Sequence, residues 1–300
     1  MRDHKEKLAY ALETLEGLSV GDALGEALSY MFYEARENCD FSAFRAGTVR
    51  YTDDTEMAIA IVENLMSSRT IDEDVLAWRF ASRYKKDPDR GYGRMARRIL
   101  EEIAVGTPWK EVSMQAFGRG SFGNGAAMRV APLGAYFSDD IHSVPELAAQ
   151  SARVTHHHPE GIAGAIAVAV AAAVACDTRL RHRNDAVTSI WDASIELTPE
   201  STVRERIILA RSMSSVSHQE AAVVLGNGTE ISAQDTVPFC IWNACRCLEN
   251  YREAFISTVE VGGDCDTNSA IVGSIVSSYA GIGSIPDEWL RVREKLAIRS

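Results

Sequence analysis

Hydrophobic side chains recur along this chain at the spacing of an α-helix. The stripes are clearest within residues 5–20 and 57–66, where they are formed by Leu8, Ala11, Leu12 and Leu15 and by Ala58, Ile61, Val62 and Leu65. Residues 72–83 and 90–103 predict two further helices. Strict alternation of apolar and polar residues, which marks a half-buried strand, is scarce. We therefore predict an all-α fold, arranged as a single domain over residues 1–300.

One run is apolar enough to raise the question of a membrane. Gly161–Cys176 contains no charged residue and is rich in Ala, Val and Ile. It is shorter than the roughly 18–20 residues that span a bilayer, and much of it is Ala. A helix buried on all sides inside a large helical domain is the better interpretation, and we predict no membrane association.

Composition and charge narrow the classes of function. With 300 residues, of which 46% are hydrophobic, the chain can bury a sizeable core. Its net charge of -11 and pI near 5.2 argue against direct binding of nucleic acid through a basic face. The six cysteines show no paired metal-ligand spacing, and the N-terminal residues do not resemble a signal sequence. We expect a cytoplasmic setting with reduced thiols.

The segment Val261–Asn268 concentrates polar chemistry before an apolar helix. Asp264, Asp266 and Thr267 are hard oxygen ligands of the kind that Mg²⁺, Mn²⁺ or Ca²⁺ prefers, and they follow a pair of glycines. The same residues could instead cap the helix, because Asp and Thr are good N-caps and acids favour the first turn. This segment alone therefore favours a metal only weakly.

A second acidic cluster lies far upstream, at the start of the helix over residues 57–66. Thr52, Asp53 and Asp54 precede Glu56, so a capping box between Asp53 and Glu56 would explain one hydroxyl and one acid. It does not explain two adjacent carboxylates, which repel each other unless a cation or a proton compensates them. The two clusters are therefore candidates for the two halves of one metal site.

A glycine-dense loop spans Gly118–Arg129, with glycines at positions 118, 120, 123 and 125. Such a loop at the start of a helix can bind phosphate through backbone N–H groups. It fits neither the Walker A motif nor the dinucleotide fingerprint, and no predicted strand precedes it. A plain flexible loop is the alternative interpretation.

Two shorter segments complete the candidates. His156, His157 and His158 are adjacent, so they cannot all face one point, and we expect one of them to face a cleft. The small residues of Gly21–Ala27 suit either close helix packing or a backbone next to a ligand.

Six segments in a fixed order carry a more specific signal than any one of them. They are Gly21–Gly25, Tyr51–Thr55, Gly120–Arg129, Thr155-His156, Asp235–Pro238 and Gly262–Asn268. In this order they resemble the ADP-ribosylglycohydrolase family, of the dinitrogenase-reductase-activating glycohydrolase type, over nearly the whole chain.

The resemblance implies an orthogonal helical bundle with a centre of two Mg²⁺ or Mn²⁺ ions at the base of a cleft. By motif position, the metal ligands would be Thr52, Asp53, Asp54, Asp264, Asp266 and Thr267. The diphosphate and adjacent ribose of ADP-ribose would contact Gly120, Ser121, Phe122, Gly123 and Asn124, and His156 matches the His that contacts the ligand in the family. Family members hydrolyse the bond between C1″ of ADP-ribose and a protein side chain or small acceptor. The expected partner is thus ADP-ribose or an ADP-ribosylated protein, bound by a monomer or small homo-oligomer.

The implied reaction also assigns catalytic roles. Glycosidic cleavage passes through an oxocarbenium-like state and needs an activated water and a protonated leaving group. Asp53, Asp54 and Asp266 are the candidate catalytic residues. Either Asp53 or Asp54 would position or deprotonate the water, and the sequence leaves open which one does.

Two positions depart from the family pattern. Many members carry a Glu on a mobile segment over the metals, and the aligned residue here is Ser29. Glu26 or Glu34 would be its substitute, although neither matches residue for residue. Cys265 stands where Thr is usual between the aspartates, and we expect its side chain to point away from the ions.

Three other functions are compatible with parts of this pattern. Ser29 motivates a non-catalytic ADP-ribose or nucleotide binder on the same scaffold. An isoprenoid-type lyase would use Asp53 and Asp54, but it needs a further acid where Met57 stands. A phosphatase would use Asp264 as nucleophile at the end of a buried strand, and Val261-Gly262-Gly263 is a poor strand.

Overall fold

The computed structural model describes residues 2–29 and 44–299, and within these ranges the chain forms fifteen α-helices. They are α1 (His4–Ser29), α2 (Asp53–Ser68), α3 (Glu73–Lys86), α4 (Arg94–Ala104), α5 (Trp109–Gln115), α6 (Ala131–Tyr136), α7 (Val144–Arg153), α8 (Pro159–Leu180), α9 (Ala186–Leu197), α10 (Thr202–Ser212), α11 (His218–Leu225), α12 (Ala233–Arg246), α13 (Tyr251–Val259), α14 (Cys265–Ala280) and α15 (Asp287–Val292). Short 3₁₀ helices lie at Ala116–Gly118, Asn124–Ala126 and Ile282–Ser284.

The predicted all-α class is confirmed. The described ranges contain two isolated β-bridges, one between Val49 and Arg293 and one between Gly123 and Ser232, and no strand. The helix predicted over residues 5–20 continues through Ser29, because Gly21–Gly25 are helical as well. That the chain is one domain over residues 1–300 stays a prediction.

Helix α8 lies at the centre of the bundle. It contains the apolar run Gly161–Cys176, and α6, α7, α9, α12 and α14 all pack on it. Its Ala and Val side chains are short, so the neighbouring helices approach closely. By length and composition α8 is apolar enough to cross a membrane, but 89% of its apolar window is buried inside the protein. Core helices of soluble proteins share this composition.

Helices α1 and α14 pack with almost no side chain between them. A Cβ atom added to Gly21 would lie 2.1 Å from the Ser269 carbonyl oxygen, and one added to Gly25 would lie 2.5 Å from that of Cys265. Only glycine permits such an approach, so the small residues of Gly21–Ala27 serve close packing. This contact brings the C-terminal part of α1 next to the first turn of α14.

The residues that precede α2 are fixed by hydrogen bonds to Glu294, near the C-terminal end of the chain. The Tyr51 N–H donates to Glu294 Oε1 at 3.0 Å, and Glu294 also forms an ion pair with Arg90. Arg90 donates to the Tyr51 carbonyl oxygen, and its own carbonyl accepts the Asp53 N–H at 2.6 Å. The first turn of α2 is therefore fixed on both sides.

Candidate metal centre and cleft

Three carboxylates that are distant in sequence meet where α1, α2 and α14 converge. One oxygen from each of Asp22, Asp54 and Asp266 lies within 4.8 Å of the other two. Asp22 and Asp54 are buried, whereas Asp266 is partly exposed. Carboxylates at such separations repel each other strongly unless a cation or protons lie among them. The cluster can therefore hold a divalent cation.

Asp22 ties α1 to the first turn of α2. Its carboxylate accepts hydrogen bonds from the backbone N–H and hydroxyl of Thr52 and from those of Thr55, at distances between 2.5 and 3.1 Å. A carboxylate offers about four lone-pair sites, and these four donors occupy them. Asp22 is thus better suited to hold Thr52 in place than to bind an ion itself.

The Thr52 hydroxyl is oriented by these contacts. It donates to Asp22 Oδ1 at 2.8 Å, and it accepts the Asp54 N–H at 3.3 Å as the N-cap of α2. A hydroxyl has two lone pairs, so one remains for a cation. The expected capping box of Asp53 and Glu56 does not form, because Thr52 is the cap and Glu56 pairs with Arg83.

Asp54 carries an unsatisfied acceptor. Its Oδ2 lies 3.2 Å from the Thr52 hydroxyl oxygen, whose single hydrogen is directed to Asp22, and its Oδ1 is buried without a hydrogen-bond partner in the described chain. A buried oxygen left unpaired is costly, so Asp54 Oδ1 is a candidate ligand atom for a cation. Burial and repulsion from Asp22 raise the pKa of Asp54, and burial and repulsion from Asp266 raise the pKa of Asp53.

Asp264 faces the same cleft from the other cluster. The side-chain amide of Asn124 donates to its Oδ2 at 2.6 Å, and the Asp264 N–H donates to the Asn227 carbonyl at 3.1 Å. Burial, followed by the charge of Asp266, raises the pKa of Asp264 to about 8. Burial likewise raises the pKa of Asp22 to about 7. Within the described residues, no Lys, Arg or His forms an ion pair with any aspartate of the cluster.

The carboxylates line one end of a cleft of about 440 Å³. Its polar walls are formed by Asp53, Asp54, Ser121, Gly123, Asn124, His156, Asp264, Asp266 and Thr267. Phe117, Phe122 and Ile231 line it as well, and all three side chains are at least one-third exposed. The cleft thus joins a polar, acidic part to a partly apolar, aromatic part.

The glycine loop and His156 pack against each other. A Cβ atom added to Gly123 would lie 3.3 Å from His156 Nε2, and one added to Gly125 would lie 3.0 Å from it. Glycine at these positions therefore lets the ring edge meet the loop backbone. Burial, reinforced by the charge of Arg129, lowers the pKa of His156 to about 3, so the ring is neutral at pH 7.

The structure places most of the predicted site residues together. Thr52 lies buried beneath the cleft rather than in its wall, and Gly120 faces the backbone of His157 and His158 instead. Asn124 was predicted to contact ADP-ribose. In the structure its side-chain amide donates hydrogen bonds to the Asp264 carboxylate and to the Thr236 hydroxyl. The motif Asp235–Pro238 thus reaches the site through Thr236.

Sequence reasoning assigned no role to four residues at the site. These are Asp22, Phe117, Arg129 and Ile231. An acid in the middle of the small-residue run Gly21–Ala27 was the available signal for Asp22, since a buried carboxylate needs partners. Ser29 is exposed at the end of α1, and Glu34 lies outside the described residues. Cys265 is buried and does not line the cleft, which agrees with the expected direction of its side chain.

An all-α bundle with an acidic cluster facing a glycine loop is the architecture that the sequence motifs implied. The sequence profile of the ADP-ribosylglycohydrolase family matches residues 3–299. The chain therefore belongs to the ADP-ribosylglycohydrolase family.

Individual relatives agree with this assignment. ADP-ribosylhydrolase ARH3 of Homo sapiens is 31% identical, over 94% of this chain and 89% of that protein. ADP-ribosyl-(dinitrogen reductase) glycohydrolase of Rhodospirillum rubrum is 27% identical, over 93% of this chain and 88% of that protein. The family is thus shown, but not the narrower dinitrogenase-reductase-activating type. A solved structure described as an ADP-ribosylglycohydrolase-related protein complex shares the fold, with a TM-score of 0.68, 24% identity and coverage of 96% of this chain and 93% of that one.

Proposed function

We propose that this protein is a metal-dependent hydrolase that cleaves the C1″ glycosidic bond, N- or O-linked, between ADP-ribose and a protein side chain or small acceptor. The observation that carries the proposal is the group of carboxylates at one end of the cleft, with Asp54 Oδ1 buried and unpaired. The family membership supports ADP-ribose as the ligand of the same cleft.

The residues present fit a pair of Mg²⁺ or Mn²⁺ ions. The proposed ligands are the oxygens of Thr52, Asp53, Asp54, Asp264, Asp266 and Thr267, which is the donor chemistry that these cations prefer. Divalent ions bound there would act as Lewis acids that make water more acidic. Asp22 would act indirectly, because its four hydrogen bonds hold Thr52 and Thr55 at the start of α2.

The chain's own side chains divide the remaining work. Asp53 or Asp54 accepts the proton of the attacking water, because both line the cleft and both have a raised pKa. Asp266 joins them as the third candidate catalytic carboxylate. The acid that assists the leaving group is not Ser29, since a serine hydroxyl is too weak an acid to replace a Glu in this step. Glu26 and Glu34 are the two candidates for that step.

The rest of the cleft is proposed to bind ADP-ribose. Ser121, Gly123 and His156 line the same cleft as the carboxylates, and these polar groups would contact the diphosphate and ribose. The exposed rings of Phe117 and Phe122, with centroids 6.4 Å apart, offer an apolar surface to a flat base. The net charge of -11 does not prevent binding, because bound cations supply positive charge locally.

The decisive experiment is a panel of defined ADP-ribosyl substrates linked through arginine, serine, a nucleic-acid end or a small acyl acceptor. Each would be incubated with Mg²⁺, with Mn²⁺ and with chelator, and the release of ADP-ribose measured. Release from at least one linkage should require a divalent ion and should be lost in Asp266→Ala. Glu200→Gln, an exposed carboxylate remote from the cleft, serves as the matched control.

The second candidate is a non-catalytic ADP-ribose binder, and Ser29 at the exposed end of α1 is the observation that favours it. It predicts that ADP-ribose binds in calorimetry while no substrate of the panel is cleaved. Turnover that falls in Glu34→Gln or in Glu26→Gln, while ADP-ribose affinity is retained, would exclude the binder and identify the leaving-group acid.

A further inference from the structure

Beneath the cleft lies a buried arginine without a carboxylate partner. Arg129 is fully buried, and its guanidinium lies 4.4 Å from the centroid of the Phe80 ring. Its Nη2 donates to the Ser151 carbonyl at 3.0 Å and to the Thr155 hydroxyl at 2.9 Å. Burial lowers the pKa of Arg129 to about 9, so the guanidinium stays charged at neutral pH.

The contact between Arg129 and the Thr155 hydroxyl determines which atom is the donor between Thr155 and His156. A guanidinium has only donors, so the Thr155 hydroxyl accepts from Arg129 and must place its own hydrogen elsewhere. Thr155 is completely buried, and the acceptor within reach among the described residues is His156 Nδ1, at 2.8 Å. A buried hydroxyl hydrogen without an acceptor would be costly, so the hydroxyl donates to Nδ1.

The consequence is a defined state of the histidine ring. If Nδ1 accepts a hydrogen bond, a neutral imidazole carries its hydrogen on Nε2. His156 lines the cleft, and its Nε2 faces the glycine loop at Gly123 and Gly125. No hydrogen-bond partner of Nε2 is found in the described part of the chain.

We propose that Arg129 and Thr155 are positioning residues that fix His156 as the neutral tautomer with its hydrogen on Nε2, so that His156 donates a hydrogen bond into the cleft. The acceptor would be an anionic or hydroxyl oxygen of the diphosphate-ribose portion of the ligand. This last step rests on the proposed function, whereas the assignment of the tautomer rests only on the contacts of Arg129, Thr155 and His156.

The tautomer can be measured directly. Long-range ¹H–¹⁵N spectra of the full chain with ¹⁵N-labelled histidine distinguish a protonated ring nitrogen from an unprotonated one, and His156→Gln identifies the signals. We expect Nε2 to be protonated and Nδ1 unprotonated in the wild-type protein at neutral pH. A protonated Nδ1 would overturn the proposal. This spectrum needs only folded wild-type protein and the assignment variant, so the folding of Thr155 variants does not affect it.

Variants of Thr155 test the positioning role. Thr155→Val removes the hydroxyl while keeping the branched shape, and we expect a mixture of tautomers and ADP-ribose binding weakened by roughly three- to tenfold, the loss of about one hydrogen bond. Thr155→Ser restores the hydroxyl, so its spectrum should match the wild type and its affinity should lie within about twofold. An unchanged tautomer and affinity in Thr155→Val would contradict the proposal.

The two readouts separate this inference from the proposed function. If ADP-ribose fails to bind the wild-type protein in calorimetry while the spectra show the expected tautomers, the ligand assignment is wrong and the Arg129–Thr155 role stands. If ADP-ribose binds and is released from substrates but Nδ1 is protonated, the proposed function stands and the positioning role is wrong.

Discussion

Helix α2 carries two groups of buried acids, Asp53 with Asp54 and Glu56 with Glu63, and their surroundings differ completely. Glu56 and Glu63 share the guanidinium of Arg83, with contacts of 2.6 and 2.5 Å, and Arg79 adds a further contact to Glu63 at 3.2 Å. All the charges in this group are compensated within the chain. A buried carboxylate with such partners is a structural element, because its charge is neutralised and its oxygens are hydrogen-bonded.

Asp53 and Asp54 begin the same helix without a comparable partner. Their neighbours are the carboxylates of Asp22, Asp264 and Asp266, and burial and mutual repulsion raise the pKa of each member of the Asp53–Asp54 pair. The lesson of the comparison is that burial of acids does not by itself mark a functional site. Acids buried together without an ion pair from the chain are candidates for binding an ion from outside it.

The largest effect is expected where the uncompensated cluster is broken. Asp54→Asn removes the charge of a proposed metal ligand and replaces one of its oxygens with an amide NH2 group, so turnover of ADP-ribosyl substrates should fall by about 10²–10³-fold or more. The free energy of unfolding of the metal-free protein should stay the same or rise, because one repelling charge is removed. Turnover kinetics and urea unfolding in chelator measure the two quantities. Wild-type turnover in Asp54→Asn would show that the cluster is not the catalytic centre.

Removing Arg83 from its ion pairs with Glu56 and Glu63 should lower stability but leave turnover nearly unchanged. Arg83→Met leaves Glu56 and Glu63 buried without their cation, which should lower the free energy of unfolding by about 3–5 kcal/mol. Turnover per folded molecule should stay within about threefold of the wild type, since Arg83 does not line the cleft. Arg252→Met breaks an exposed ion pair with Glu288 and should cost less than about 1 kcal/mol. Equal losses of stability in both variants would remove the distinction.

A smaller effect is expected from separating the helices that carry the cluster. The Cβ atom of Gly21→Ala would meet the Ser269 carbonyl oxygen at 2.1 Å, so α1 must move away from α14. We expect a loss of about 1–3 kcal/mol in urea unfolding. We also expect weaker Mg²⁺ binding in calorimetry, because Asp22 on α1 moves relative to Asp266.

Gly283→Ala is the matched control, because no atom lies within 4 Å of its added Cβ. Its Mg²⁺ affinity and unfolding free energy should be close to those of the wild type. Unchanged Mg²⁺ binding in Gly21→Ala, despite lower stability, would show that the α1–α14 contact does not organise the metal centre.

The sequence was most informative where a single physical rule applied. Helical periodicity predicted the all-α class, because apolar spacing depends directly on helix geometry. The charge-free apolar run Gly161–Cys176 predicted a helix buried on all sides. Helix capping could not explain two adjacent carboxylates after Thr52. Their uncompensated charge was the reason to predict that Asp53 and Asp54 share a metal site with Asp264 and Asp266. The structure brings both clusters to one cleft, while their roles as ligands stay predictions.

What the sequence could not supply was the geometry between distant helices. Asp22 stood in a segment interpreted through its small residues, and only the contact of α1 with Thr52 and Thr55 reveals its four hydrogen bonds. The hydrogen-bond partner of Asn124 could not be predicted either, since its amide could bind a ligand or a neighbouring carboxylate. Which of the two it does depends on its distance to Asp264, which no local pattern encodes.

A pH dependence separates the aspartate cluster from the Arg83 ion-pair group in the metal-free protein. Burial raises the pKa of Asp22 to about 7 and that of Asp264 to about 8, from 3.8. The folded state therefore keeps protons that the unfolded state releases, so the stability from these groups is present below about pH 4 and is lost as pH rises through about 7–8. We expect the melting temperature in chelator to be lower at about pH 8.5 than at about pH 6.

Added Mg²⁺ should reverse this trend, because the ion replaces the protons. The rise in melting temperature on adding Mg²⁺ should be larger at the higher pH. The Arg83→Met variant should keep the same dependence on pH and Mg²⁺ from a lower starting value. A melting temperature in chelator that rises between about pH 6 and 8.5 would contradict the assignment of uncompensated acids to the cluster.

The smallest effect is expected from a substitution at Cys265, which tests whether this residue belongs to the proposed metal centre. Cys265 lies between Asp264 and Asp266, but it is buried and does not line the cleft. Since its side chain does not face the proposed ions, Cys265→Thr should leave turnover and Mg²⁺ affinity within about twofold of the wild type. The added hydroxyl can bond back to a helix carbonyl, so the unfolding free energy should change by no more than about 1 kcal/mol. A large loss of Mg²⁺ affinity with normal stability would mean that position 265 faces the ions. The assignment of only Asp264, Asp266 and Thr267 from this segment to the centre would then be wrong.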